Sequence, residues 1–264
     1  MGVPGAAALI ADLVDANHIL FREGVLDGFG HVSARDPQRP GRFLLARSMA
    51  PALVSAADIM RFDFDGNTAG KDLRPPYLER FIHGEIYRAR PDVNAIVHSH
   101  SLGVIPFGVA SGTRLRAICH MSGFLGGATP VFEIRATAGP ASDLLIRDRK
   151  LGAALARSLG PNAVVLMRGH GSTVVGASVR QAVFRAVYTE VNARLQSEAL
   201  RLGAVTYLTE QEAELASATN DSQINRAWEL WKALAGQAPR RAATKSLLPR
   251  RVPGPSGARG SRQD

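Results

Sequence analysis

The 264-residue chain contains a single cysteine, Cys119, which excludes a disulfide framework and any Cys-rich zinc or iron–sulfur site. No run of 18 apolar residues occurs, so no membrane span is expected. The opening MGVPGAAALIADLV has no basic residues ahead of its apolar stretch and already carries Asp12, so it does not read as a signal peptide. A cytoplasmic location is the expectation. The phosphate-cradling GxxxxGK motif, the dinucleotide fingerprint GxGxxG and the nucleophile elbow GxSxG are all missing. Cys119 has no context that marks a nucleophile and reads as a small buried side chain.

The chain is 45% hydrophobic, which excludes wholesale disorder, and it is long enough to bury a substantial core. The formal net charge is +9, but residues 240–264 hold seven Lys or Arg against Asp264 alone, leaving only +3 for everything before them. The basic balance is therefore local to a Pro-, Gly- and Arg-rich tail, residues 239–264, too poor in apolar residues to fold. A solvated extension explains it better than a nucleic-acid contact. Residues 1–238 read as one domain.

Apolar residues at helical spacing predict a helix over 6–22. A short strand is expected at 43–45, then a turn at 63–70 centred on Asp65-Gly66-Asn67. Pro75 and Pro76 precede a helix through Tyr77, Phe81, Ile82 and Tyr87, which should stop near Arg90-Pro91. A strand from Ala95 runs into His98-Ser99-His100. A helix over 149–159 ends at Gly160-Pro161, and strands at 163–167 and 172–175 flank Gly169-His170-Gly171. Residues 178–202 form the longest amphipathic pattern. Trp228 and Trp231 share one face of a last helix, as anchors on the body of the protein or on a neighbouring subunit. Helices alternating with strands imply an α/β domain with a layered sheet.

The chemistry concentrates in histidines. In a strand, residues two apart project to one face, so the rings of His98 and His100 can converge on one ion while Ser99 points away. His170, between two glycines after a hydrophobic strand, also falls at a strand end. Three imidazoles plus a carboxylate or water make an ordinary site for zinc, manganese, iron or cobalt; the competing reading is unrelated core or surface histidines. Glu79 and Glu85 are the carboxylates upstream, six apart and so not on one helical face; His83 lies four from Glu79. Spacing alone does not choose between the two. The segment Gly24 to Ser33, with Gly28-Phe29-Gly30-His31, is either an anion-holding loop or a tight turn. Arg35, Arg47 and Arg74 are the nearest basic residues.

The stretches LERFIHGEIYRARPDVNAIVHSHS and VVLMRGHGSTVVG resemble the class II aldolase/adducin head-domain family over about residues 7–235. The resemblance implies a three-layer α/β fold with a central, mostly antiparallel sheet flanked by helices. It implies that His98, His100 and His170 hold one divalent metal ion per subunit, Mn²⁺ or Zn²⁺ first, with Fe²⁺ or Co²⁺ as alternatives. It also selects Glu79 over Glu85, since the family's catalytic glutamate stands 19 residues before the first metal histidine. The phosphate cradle of sugar-phosphate members is absent: the relevant loops read Gly30-His31-Val32-Ser33 and LLARSMAP, and Tyr77-Leu78 precede Glu79. GFGHVSARDP, FLLARSMAP, RPPYLERFIHG and RGHG instead look like a branch of decarboxylases acting on hydroxylated aromatic or pyridine dicarboxylates. That resemblance implies a metal-dependent decarboxylase of a small aromatic carboxylate, with Glu79 as acid/base and His31 as a second candidate catalytic residue. Arg47 and Ser33 are candidate substrate contacts. A homotetramer is the implied assembly. The alternatives are an aldolase or hydro-lyase on a non-phosphorylated substrate, an iron-dependent oxygenase, or a scaffold that would have lost its ligand histidines.

Overall fold

The computed structural model describes residues 5–70 and 72–236; the expected tail at 239–264 lies outside them. Among the described residues, seven strands form one sheet: β1 (His31–Arg35), β2 (Arg42–Ala46), β3 (Ile59–Asp63), β4 (Ala95–Ser99), β5 (Val131–Phe132), β6 (Val164–Met167) and β7 (Gly171–Gly176), in the order β3-β2-β1-β4-β7-β6-β5. Only β5–β6 is parallel; the other five pairings are antiparallel. The helices are α1 (Ala6–Arg22), α2 (Arg80–Ala89), α3 (Ile105–Val109), α4 (Arg135–Ala138), α5 (Arg149–Leu159), α6 (Val179–Leu202), α7 (Glu210–Asp221) and α8 (Ile224–Ala235). None is long and apolar enough to cross a membrane.

The strand pleat sorts side chains into two cores. Val32, Ala34, Ala95, Val97, Leu166 and Val174 pack with residues of α1, α6 and α8, including Trp228 and Trp231. The alternate residues Phe43, Leu45, Ile96, Val165 and Val175 pack with Ile82, Ile86 and Tyr87 of α2 and Leu151, Leu155 and Leu159 of α5. Central strands buried on both faces explain why their sequences are continuous apolar runs rather than alternating ones. The result is a three-layer α/β fold with a mixed, mostly antiparallel sheet.

Two helix boundaries follow local chemistry. The Asp148 side chain accepts the Leu151 N–H at 2.8 Å at the start of α5, and Gly160 at φ +53° closes its end. Ser178 accepts the Gln181 N–H at the start of α6. Helix α2 departs from expectation: it begins at Arg80, with Glu79 as the residue before it, because Pro75 and Pro76 keep the lead-in extended. Glu79 is thus a turn residue rather than a helical-face residue.

The amphipathic reading of 178–202 also needs correction. Helix α6 buries Glu190, Asn192 and Gln196 together with its apolar residues. Asn192 accepts from Ile118 N and donates to the Arg116 carbonyl, while Gln196 accepts from Arg116 N and donates to the Arg114 carbonyl. These two amides satisfy an irregular backbone segment that has no strand partner. Glu190 accepts from Gly103 N and the Ser101 hydroxyl, pinning the chain just beyond His100. Cys119 is half-buried rather than buried, its Sγ 3.0 Å from Ser122 Oγ.

Candidate metal centre

Antiparallel pairing puts His31 of β1 opposite His98 of β4. Both lie on the face that packs against α2, where the apolar strand residues give way to polar ones at the sheet end. His98 is 0% exposed and His100 half-buried one step past the strand, with ring centroids 5.1 Å apart. His170 sits in the tight connection between β6 and β7, its ring 5.0 Å from that of His98 and 4.7 Å from that of His100. Two glycines make the approach possible. A Cβ on Gly171 would stand 1.9 Å from the Ser99 carbonyl oxygen, and one on Gly30, at φ +85°, would stand 2.9 Å from that of His98.

Glu79 completes the group. Its Oε1 accepts the Ile146 N–H at 2.9 Å, which leaves Oε2 3.3 Å from His98 Nε2 and 3.5 Å from His170 Nε2. One potential donor atom from each of Glu79, His98, His100 and His170 falls within 4.8 Å of the others. The outer nitrogens of two rings are already used: His98 Nδ1 donates to the Ser172 carbonyl at 3.1 Å and His170 Nδ1 to that of Leu144 at 2.9 Å. These bonds fix both tautomers and leave Nε2 as a lone pair directed inward.

The group fits a divalent cation. His98 Nε2 is buried with no aligned hydrogen-bond partner, and 3.3 Å from it stands a carboxylate oxygen of Glu79, another acceptor. A divalent cation between these facing acceptors would satisfy them together. Burial pushes the Glu79 carboxyl up, yet the His98 and His170 rings pull it further down, to well below the usual carboxylate range. Burial also lowers His170, but the Glu79 carboxylate more than reverses that and raises it. Burial, with the neighbouring His98 and His170 rings, depresses His100 to about 4. Three neutral-capable imidazole nitrogens and one carboxylate oxygen form the N/O donor set of borderline divalent metals.

The other expected residues fall in different places. Glu85 is buried between α2 and α5, paired with Arg149 at 2.7 Å, and does not reach the cluster. Arg35 donates to the carbonyls of Tyr87, Arg90 and Val93, closing the C-terminal end of α2. Arg47 pairs through Nε with Asp58 at 2.7 Å and is about one-third exposed, at 36%. Arg74 is engaged by Asp72 and the Ala57 carbonyl. Ser33 is not at an open surface: its hydroxyl lies 2.6 Å from His83 Nδ1 and 2.8 Å from Tyr87 Oη. His31 stands at the edge of the cluster, its ring 5.0 Å from His98 and 4.6 Å from Tyr77, with Nδ1 2.7 Å from His83 Nε2. Burial first, then the adjacent His83 and His98 rings, holds His31 well below the usual histidine range. Burial also lowers His83 to about 3 and pushes the Tyr87 phenol well up, so that it stays protonated.

Sequence reasoning missed the loop that orients the ligands. Leu144, with φ +70°, offers its carbonyl to His170, and two residues on, Ile146 offers its N–H to Glu79. Both contacts are backbone, so side-chain identity carries no trace of them. A left-handed non-glycine residue beside a ligand contact is a strained position of the kind found at functional sites.

The family model for the class II aldolase and adducin N-terminal domain matches residues 11–197. The chain is 37% identical over 254 residues to the decarboxylase tropJ of Talaromyces stipitatus, covering 88% of this chain and 95% of that protein. It is 33% identical over 238 residues to the 3,4-dihydroxyphthalate decarboxylase of Arthrobacter keyseri, covering 81% and 88% respectively. Among solved structures, the L-fuculose 1-phosphate aldolase from Glaciozyma antarctica superposes with a TM-score of 0.73 at 22% identity, over 91% of this chain and 97% of that one, a likeness of fold. A buried Glu/His cluster on a chain related over most of its length to decarboxylases supports an enzyme of metal-dependent carbon–carbon cleavage. The protein belongs to the class II aldolase and adducin N-terminal domain family.

Proposed function

We propose that the protein decarboxylates a hydroxylated aromatic or heteroaromatic dicarboxylate, using one divalent ion per chain, Mn²⁺ or Zn²⁺. The observation that carries this reading is the cluster of Glu79, His98, His100 and His170, whose acceptor atoms converge within 4.8 Å of one another and fit a divalent cation. The similarity to tropJ and to the dihydroxyphthalate decarboxylases supports the reaction class. A non-phosphorylated substrate is supported by the engaged state of Arg35, Arg47 and Arg74, which are held by carbonyls, Asp58 and Asp72 rather than gathered into a phosphate cradle.

His98, His100 and His170 would hold the ion beside Glu79, and the ion would stabilise the negative charge that loss of CO₂ leaves on the substrate. Glu79, anchored at Oε1, takes the ring hydroxyl proton on Oε2 and returns it to the ring carbon that bears the departing carboxylate. The bond to that carboxylate then breaks, its electron pair stays with the ring, and CO₂ leaves. The product's ring oxygen regains a proton from water. Phe29, 68% exposed and with its ring 6.2 Å from that of His100, offers an apolar surface to an aromatic substrate. Arg47 is the proposed partner of a second carboxylate, through the guanidinium nitrogens not directed at Asp58. The assembly we propose is a homotetramer, which sedimentation of the full chain checks.

The test is CO₂ release by the metal-reconstituted protein from 3,4-dihydroxyphthalate and from a hydroxypyridine dicarboxylate, with mono-acids as controls. Metal-dependent release that disappears in Glu79→Gln and His98→Ala is expected. A protein that binds one ion per chain yet releases no CO₂ would overturn the assignment. Retro-aldol and water-elimination substrates, with oxygen uptake in parallel, would then separate the alternatives.

A further inference from the structure

His31 heads a hydrogen-bonded chain of four side chains, none more than 3% exposed. Tyr87 Oη lies 2.8 Å from Ser33 Oγ, Ser33 Oγ lies 2.6 Å from His83 Nδ1, and His83 Nε2 lies 2.7 Å from His31 Nδ1. Every group in it can donate or accept, so the chain has two consistent directions. In one, Tyr87 donates to Ser33, Ser33 to His83 Nδ1, and His83 Nε2–H to His31 Nδ1. His31 then carries its proton on Nε2. In the other, His31 Nδ1–H donates to His83, His83 Nδ1–H to Ser33, and Ser33 to Tyr87. His31 Nε2 is then a bare lone pair.

The far end decides between them. Tyr87 Oη has no hydrogen-bond partner other than Ser33 among the described residues. The second direction leaves the phenol proton buried without an acceptor, and letting Ser33 accept from both Tyr87 and His83 only moves that defect to the Ser33 hydroxyl proton, at a site too enclosed for bulk water to supply an acceptor. The first leaves only a spare lone pair on Tyr87, the cheaper omission. A doubly protonated His31 forces the second direction and has the same defect.

We infer that Tyr87, through Ser33 and His83, fixes His31 as the Nε2–H tautomer, so that His31 offers a hydrogen-bond donor to an anionic oxygen of the substrate and is not a metal ligand. The cluster geometry agrees. His31 is the register partner of His98, yet the four residues whose ligand atoms converge do not include it. Ser33, His83 and Tyr87 are thereby positioning residues. Only the identity of the oxygen, a carboxylate or ring oxygenate, rests on the decarboxylase reading.

The experiment is a long-range ¹H–¹⁵N correlation spectrum of the full-length, Zn²⁺-loaded protein with ¹⁵N-labelled histidine, its signals assigned by single His→Gln variants. Nε2–H tautomers at both His31 and His83 are expected. Nδ1–H at either residue overturns the inference, whatever the enzyme's substrate. Tyr87→Phe and Ser33→Ala should shift both rings toward the Nδ1–H form or into exchange, and unchanged tautomers in both variants would overturn the role given to Tyr87. On a turned-over substrate, Tyr87→Phe should lower kcat by about tenfold at unchanged metal content. Unchanged kcat, or a loss that tracks lost metal, would contradict the positioning role. If no CO₂ is released at all, the spectrum of the wild-type protein still decides the inference.

Discussion

Two groups of buried histidines share the ends of β1 and β4, and their hydrogen bonds differ in kind. In the outer group, His98 and His170 spend Nδ1 on backbone carbonyls, and their Nε2 atoms face Glu79 and His100 with no full set of donors. In the inner group, His83 has both nitrogens paired and His31 has one, in a chain that closes on Tyr87. The two groups touch, with the His31 and His98 rings 5.0 Å apart, so neither burial nor ring type separates them. The separating fact is whether the inward nitrogen is a lone pair or an N–H. A lone pair facing a carboxylate calls for a cation; an N–H facing the same space calls for an anion. A metal centre that cleaves carbon–carbon bonds needs both.

The comparison can be broken most severely at the outer group. His98→Ala and His170→Ala each remove an inward lone pair, and CO₂ release should fall below detection in both while far-ultraviolet circular dichroism stays native. Retained turnover in either would mean that the cluster is not the reacting centre. Glu79→Gln should lower kcat by about 10²–10⁴-fold, the range for a positioned acid/base, because an amide cannot carry the proton. A change in KM alone would assign Glu79 to binding instead.

The inner group should show itself in stability against pH. Burial holds His83 to about 3 in the fold, whereas in the unfolded chain it titrates near the ordinary value of 6.5. Below about 6.5 the unfolded chain takes up a proton that the folded chain refuses. The His83 contribution is therefore fully present above pH 6.5 and declines as pH falls toward 3, at about 1.4 kcal/mol per pH unit. Urea unfolding of metal-free protein at pH 4.5 and 6.5 measures this slope. His83→Asn should flatten it by that amount, and an unchanged slope would show that His83 is not buried neutral. The smallest effect is expected at Cys119, which lies outside both groups: Cys119→Ser should leave metal content and turnover at wild-type levels.

Much of this was legible before the fold. The apolar runs at β4, β6 and β7 announced central strands, and the two-residue spacing of His98 and His100 announced a shared face. The family resemblance supplied Glu79, which spacing could not choose over Glu85. What stayed hidden depends on long-range or backbone contacts. Ser33 and His83 are 50 residues apart, and Glu79 and Ile146 are 67 apart. Nothing local marks either pair. The family resemblance made Ser33 a candidate substrate contact, but the pleat that aims His31 at the centre also aims Ser33 back at α2. The polar buried side of α6 was equally hidden, since Asn192 and Gln196 serve a backbone segment 74 to 82 residues earlier.

The most direct test of the distinction between the groups is equilibrium Zn²⁺ affinity, by competition with a chelating indicator, for His98→Gln and His31→Gln side by side. Loss of specific binding in His98→Gln, with His31→Gln within about tenfold of wild type, is the predicted result. Equal loss in both would make His31 a ligand and contradict the division of labour between them.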